Sequence, residues 1–190
     1  MTRIITGSAG GRRLATPSGA GTRPTSDRVR EAIFSRLDHL DVLPGAHVLD
    51  LYAGSGALGL ETLSRGAASA LLVESDRAAA QVISRNAADL GLRGATVRRD
   101  TVSRVLAAAP PQPMDLVLVD PPYAVDDDAL AAVLAALVDQ GWLAPGAVLV
   151  VERSSRSAAP RWPEGIEPLA DKKYGETTIH YAEHPDDPAA

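Results

Sequence analysis

His47-Val48-Leu49-Asp50-Leu51-Tyr52-Ala53-Gly54-Ser55-Gly56-Ala57-Leu58-Gly59 reads as a strand, a tight turn and the opening of a helix. Val48, Leu49 and Leu51 make an apolar run of strand length. Gly54, Gly56 and Gly59 then form G-x-G-x-x-G. Glycines at these positions let backbone approach a ligand and let the helix pack closely on the strand. Glu74 ends the next apolar run, where a carboxylate can grip ribose hydroxyls. Two cofactors fit this pattern. A nicotinamide dinucleotide would set its pyrophosphate on the helix N-terminus. S-adenosylmethionine has no phosphate and needs acids for an ammonium and a ribose.

Outward from this stretch, strand and helix patterns alternate. Strands are expected at 47–51, 70–74, 95–98, 114–119 and 147–152, with helices between them. That order implies a parallel sheet with right-handed crossovers. Residues 166–174 and 176–182 read as two antiparallel strands around Gly175. Upstream, Ser26 or Asp27 caps a helix running to about Leu40, with Val29, Ile33, Phe34 and Leu37 on one face. Arg3–Thr6 and Arg12–Thr16 flank a glycine-rich turn and read as a β-hairpin. Three spans are expected: a hairpin arm at 1–20, a main domain at 21–183 and a flexible tail at 184–190.

Asp50, Glu74, Asp100 and Asp120 fall at the C-terminal ends of the first four strands, the ligand-binding edge of an open α/β sheet. Such a row suits a cationic cofactor better than a pyrophosphate. The last of the four opens Asp120-Pro121-Pro122-Tyr123. The prolines reject ladder pairing and rigidify the turn. A carboxylate and a fixed carbonyl can each accept one N–H of an exocyclic amine while the ring stacks on its face.

The chain has 190 residues, 45% of them hydrophobic, and a net charge of −5. It has no cysteine, which excludes disulfides, thiolate metal sites and cysteine nucleophiles. Residues 1–36 hold seven of the 19 basic residues and only two of the 24 acids. This basic end on an acidic body is a phosphate-binding footprint. The Arg23–Arg30 segment precedes the sheet and can flank the mouth of its site. His39, His47, His180 and His184 show no metal-ligand spacing, and Trp142 and Trp162 read as packing residues. No apolar run reaches membrane-spanning length and the N-terminus lacks a signal-peptide pattern, so a cytoplasmic protein is expected.

The glycine loop together with Asp120-Pro121-Pro122-Tyr123 resembles the class I S-adenosylmethionine-dependent amino-methyltransferases. Arg3-Ile4-Ile5-Thr6-Gly7, Gly10-Gly11-Arg12, the Arg23–Phe34 segment and Lys172-Lys173-Tyr174-Gly175 narrow the resemblance. They are similar to the bacterial 16S rRNA guanine-N2 methyltransferase family, which acts at guanine 966 in ribosomal numbering. The resemblance implies a Rossmann-like α/β fold: a mostly parallel seven-stranded sheet, helices on both faces and an N-terminal hairpin. It implies catalysis by Asp120, Pro121, Pro122 and Tyr123, with the base flipped from the RNA and stacked on Tyr123. The expected cofactor-binding residues are Asp50, Tyr52, Gly54, Ser55, Gly56, Glu74, Ser75, Asp100, Thr101 and Asp120. The expected RNA-binding residues are Arg3, Arg12, Arg13, Arg23, Thr25, Arg28 and Arg30. S-adenosylmethionine is the expected cofactor, S-adenosylhomocysteine its product, and no metal is required. The expected partner is 16S rRNA in the small ribosomal subunit, with the protein a monomer. Two alternatives stay open: another nucleic-acid amino-methyltransferase acting on DNA adenine or cytosine, and a nicotinamide-dependent oxidoreductase.

Overall fold

Apolar side chains alternate across the central strands, so each strand buries both faces, as a parallel sheet covered by helices on both sides requires. The computed structural model describes residues 1–19 and 25–186. Its elements run α1 (Asp27–His39), β1 (His47–Leu51), α2 (Ala57–Ser64), β2 (Ser69–Val73), α3 (Arg77–Leu90), β3 (Ala95–Arg98), α4 (Val102–Leu106), β4 (Met114–Val119), α5 (Asp127–Asp139), β5 (Leu143–Ser154), β6 (Glu167–Tyr174) and β7 (Thr177–His184). The seven strands form one sheet in the order β3-β2-β1-β4-β5-β7-β6. The first five are parallel, and β7 pairs antiparallel with both β5 and β6. This is the class I methyltransferase architecture expected from the sequence.

Val48, Leu116, Leu118, Val150 and Ile179 point to one face and meet Ile33, Phe34 and Leu37 of α1 and Leu60 of α2. Leu49, Leu51, Val117 and Leu149 point to the other and meet Leu130, Leu134 and Leu137 of α5. The chain reverses its direction of sheet growth between β1 and β4. Open α/β sheets bind ligands at such a switch point, beyond the strands' C-terminal ends. Among the described residues no helix is long and apolar enough to cross a membrane.

The N-terminal segment packs against the main domain. A single antiparallel bridge, Arg3 to Arg13, stands where a hairpin ladder was expected. Ile4, Ala9 and Leu14 are buried in the α1–α2 side of the core. The fully buried Glu61 carboxylate accepts the backbone N–H groups of Ile5 (2.7 Å) and Thr6 (3.0 Å). Asn86 pairs with both backbone groups of Ala15. Gly7 lies so close to α2 that a Cβ there would overlap the Ser64 carbonyl. The segment is therefore docked on α2 and α3, and its core is shared with the main domain. At the other end, His184 still belongs to β7, one residue into the expected tail. Residues 187–190 lie outside the described residues.

Candidate active site

The glycine loop, the ends of β4 and β5 and the segment before α1 enclose a cavity of about 660 Å³. On the loop side, Tyr52 holds a positive φ of 61°, a conformation a bulky residue rarely adopts and one that marks functional turns. Gly54 donates its N–H to Glu74 Oε2 at 2.9 Å, and Asp76 donates its N–H to Oε1 at 2.9 Å. The Glu74 carboxylate thus ties the glycine loop to the start of α3. Gly59 N–H donates to Asp50 Oδ2 at 2.9 Å. A Cβ on Gly59 would come 2.8 Å from that oxygen and 2.8 Å from Leu72, so only glycine permits this contact. Asp50 is 1% exposed. Burial raises its carboxyl to about 7, the Gly59 hydrogen bond opposes the rise and the Glu74 charge adds to it.

On the opposite side, Asp120 follows the last residue of β4 and Glu152 lies within β5 beside it. Val119 pairs with Val151, so the next residue on each strand is a carboxylate. Thr25 Oγ1 lies 3.2 Å from Asp120 Oδ2 and 2.8 Å from Glu152 Oε2. Burial first, and then the Glu152 charge, push the Asp120 carboxyl well up; the Thr25 hydrogen bond opposes this. Burial also raises Glu152 against the same hydroxyl. One hydroxyl proton cannot serve two carboxylates fully. Two partly buried carboxyls that share one hydroxyl favour holding a proton between them.

The turn after Asp120 is clamped. Val125 N–H donates to the Pro122 carbonyl at 3.0 Å. Arg153 donates to the Val125 carbonyl (3.0 Å) and to Asp127 (2.8 Å). Tyr123 stands 79% exposed at the rim, with ring surface free for stacking.

The cavity gathers Asp50, Tyr52, Gly54, Ser55, Glu74, Ser75 and Asp120–Tyr123 from the expected set. Gly56 lies behind it as the N-cap of α2, at φ 81°. Asp100 and Thr101 do not line it. Asp100 accepts the Thr101 N–H, and Thr101 caps α4. Thr25, expected among the RNA contacts, reaches the Asp120 and Glu152 carboxylates. Glu152 was missed. Its signal was the same one that marked the first four acids, a carboxylate closing an apolar strand.

Among the expected RNA contacts, Arg3, Arg12, Arg13 and Arg28 are exposed, although Arg12 donates to the Asp89 carbonyl at 2.6 Å. Arg30 is buried where the other arginines are exposed. It is 1% exposed, donates to the Arg3 carbonyl and pairs with Asp27 at 2.7 Å, so it braces α1 against the N-terminal segment while also lining the cavity. Arg23 lies outside the described residues.

Residues 2–183 match the family described as "Conserved hypothetical protein 95". The chain is 43% identical over 161 residues to ribosomal RNA small subunit methyltransferase D of Escherichia coli, covering 85% of this chain and 79% of that protein. The chain belongs to this family. Another relative, the putative rRNA methyltransferase YlbH of Bacillus subtilis, is 33% identical over 180 residues, 93% of this chain and 96% of its own length. The solved structure of the putative methyltransferase yhhF from Escherichia coli superposes with a TM-score of 0.88 at 36% identity, covering 98% of this chain and 99% of that one. An RNA methyltransferase from Salinibacter ruber in complex with S-adenosyl-L-homocysteine shares the fold, with a TM-score of 0.67 at 18% identity over 88% of this chain and 98% of that one.

Proposed function

We propose that this protein transfers a methyl group from S-adenosylmethionine to the exocyclic N2 of a guanine in 16S rRNA, guanine 966 in ribosomal numbering. The observation that carries the reading is the rigid Asp120–Tyr123 turn, which sets a carboxylate, a proline carbonyl and an exposed ring at the mouth of the glycine-loop cavity. The cavity lining carries six carboxylates, Asp50, Glu74, Asp76, Asp120, Glu152 and Glu176, against two arginines, Arg30 and Arg153. That acidic excess disfavours a pyrophosphate and suits a cationic sulfonium and ammonium, which sets S-adenosylmethionine above a nicotinamide dinucleotide. The small-subunit rRNA relatives favour RNA over DNA.

When bound, the cofactor supplies an electrophilic methyl group and leaves as S-adenosylhomocysteine. The chain supplies the rest. Glu74 and the Gly54 backbone hold the cofactor edge of the cavity. The Asp120 carboxylate and the Pro121 carbonyl accept the two N–H groups of the guanine amine. That amine is a poor nucleophile because its lone pair is delocalised into the ring. Two acceptors favour a pyramidal nitrogen whose lone pair faces the methyl carbon, so positioning does most of the work. The carbon–nitrogen bond forms as the carbon–sulfur bond breaks, and the amine proton passes to the Asp120–Glu152 pair. Tyr123 stacks on the flipped base. The protein works as a cytoplasmic monomer on the small ribosomal subunit.

The test is incubation of naked 16S rRNA and of unmodified small subunits with methyl-labelled S-adenosylmethionine, followed by mapping of the modified base. Label at a guanine N2 is expected. Label on DNA or protein, or calorimetric binding of NAD in place of S-adenosylmethionine, overturns the reading.

A further inference from the structure

Away from the catalytic cavity, a cleft of about 420 Å³ opens between α1 and the β6–β7 hairpin. Its polar lining is Ser35, Arg36, His39, Lys172, Tyr174 and Tyr181. Every one of these side chains can donate a hydrogen bond, and no carboxylate lines the cleft. The Arg36 guanidinium sits 4.7 Å from the centre of the Tyr181 ring, a stacked cation–π arrangement that holds the charge in place. Among the described residues, Arg36 Nε and the Tyr181 hydroxyl are buried without a hydrogen-bond partner. Tyr181 as a whole is 1% exposed. Buried orphan donors are rare and each calls for a partner. Burial first, then the neighbouring Tyr174, push the Tyr181 phenol up to about 12, so it stays a donor at neutral pH.

A wall of donors with two cationic side chains, Arg36 and Lys172, complements a group that only accepts and carries negative charge. A phosphodiester fits both conditions, since its oxygens accept and none donates. We propose that this cleft binds a backbone phosphate of the RNA strand that flanks the target nucleotide, which rests on the rRNA reading above.

Both walls of the cleft lead to the catalytic cavity. The helix α1 begins at its N-cap Ser26, the neighbour of Thr25, whose hydroxyl meets Asp120 and Glu152. Arg36 lies about 15 Å further along the helix axis at 1.5 Å per residue. Arg28, Ala32, Arg36 and His39 share one helix face by their spacing. On the other wall, Tyr174 ends β6, and Glu176 and Thr177 beyond the turn line the catalytic cavity. A strand with its target base in the cavity can therefore run along α1 and place a neighbouring phosphate in the cleft. The site also gives a use to Lys172 and Tyr174 of the Lys172-Lys173-Tyr174-Gly175 stretch, which the catalytic reading left without one.

The experiment measures binding of unmodified 16S rRNA across a salt series for the wild type, Lys172→Gln and Lys173→Gln. Lys173 leaves the hairpin from the opposite face and serves as a control for lost charge alone. Losing one phosphate contact to single-stranded RNA should reduce the slope of log affinity against log salt by about 0.7. That loss is expected for Lys172→Gln and not for Lys173→Gln, with calorimetric S-adenosylmethionine affinity unchanged in both. Equal slopes for wild type and Lys172→Gln overturn the proposal. So does inorganic phosphate occupying the cleft without competing with RNA, which would assign it to a free anion. A wild type that shows no salt-dependent RNA binding takes down the rRNA reading itself, and this site with it.

Discussion

Glu74 follows β2 and Asp120 follows β4, one on each side of β1. The Glu74 carboxylate has both oxygens tied to backbone N–H groups, at Gly54 and Asp76. Asp120 shares a single threonine hydroxyl with a second, partly buried carboxyl. Backbone donors cannot swing away, so the cofactor side is fixed before anything binds. The substrate side is poised instead. Its proton and its hydroxyl can be redistributed when an amine arrives with two donors of its own. One half of the cavity positions a ligand and the other can change protonation with it.

Removing the Asp120 carboxylate should have the largest effect on catalysis. Loss of one preorganised electrostatic partner typically lowers the chemical step a hundred- to thousandfold, about 3–4 kcal/mol. Asp120→Ala should lose at least about a hundredfold in single-turnover methylation. Its S-adenosylmethionine affinity should change much less, because that side of the cavity keeps its backbone contacts. Asp120→Asn refines the point. An amide oxygen still accepts, so residual activity marks hydrogen bonding and near-complete loss marks charge or proton removal. If folded, cofactor-competent Asp120→Ala methylates at the wild-type single-turnover rate, the contrast between the two halves collapses.

Next in size is Asp50, on the fixed side yet carrying a displaced titration. Its folded carboxyl lies at about 7 against an ordinary 3.8. A raised carboxyl adds stability that is fully present below pH 3.8 and is lost as pH rises through about 7. At ~1.4 kcal/mol per unit the shift bounds the effect near 4 kcal/mol, and relaxation should leave about 2 kcal/mol. Asp50→Asn keeps an acceptor for Gly59 N–H and cannot ionise. Without cofactor, it should match the wild type near pH 4 and melt several degrees higher at pH 8. Parallel melting curves at both pH values would show that Asp50 does not titrate between them.

The parts of this molecule that were legible in the sequence are those fixed by local spacing. The glycine loop, the rigid Asp120–Tyr123 turn and the alternating elements need only near neighbours to specify them. Glu152 carried the same strand-end signal as the other acids, but its partnership with Asp120 comes from register. Only the pairing of Val119 with Val151 makes Asp120 and Glu152 neighbours. The burial of Arg30 was legible in its spacing: it lies three residues before Ile33 and seven before Leu37, on the buried face of α1. Asp100 was grouped with the other acids, but β3 is the short edge strand, and its end turns into the cap of α4. The docking of the N-terminal hairpin was hard to read because glycine and arginine are prominent in it. Its three buried apolar residues, Ile4, Ala9 and Leu14, are too widely spaced to form a pattern.

A comparable effect, read on cofactor affinity, is expected when Glu74 is cut. Charge-assisted hydrogen bonds contribute about 1.5–3 kcal/mol. Glu74→Ala should therefore weaken S-adenosylmethionine roughly tenfold or more in calorimetry, with the Gly54 N–H left unpartnered as part of that loss. Unchanged affinity would move the ribose contact elsewhere and leave Glu74 as a strut of the loop.

The finest test is Glu152→Gln, and it reads through a pH profile rather than a rate. In the wild type, burial and then the Glu152 charge hold the Asp120 carboxyl well above its ordinary value. Methyl transfer needs Asp120 free to accept, so the rate should climb as pH rises through the titration of the pair. Glutamine still accepts the Thr25 hydroxyl through its amide oxygen and carries no charge. The repulsion that helped to protonate Asp120 is then gone, and the acidic limb of the profile should move to lower pH. On that acidic limb the variant should outpace the wild type relative to its own plateau. On the plateau it should be a few-fold slower, because the pair has lost one of its two proton acceptors. Asp120→Asn in the same assay should lose that limb altogether, since no titrating acceptor remains at its position. A Glu152→Gln profile that superposes on the wild type after scaling would show that the two carboxyls titrate independently. The substrate side would then be as fixed as the cofactor side.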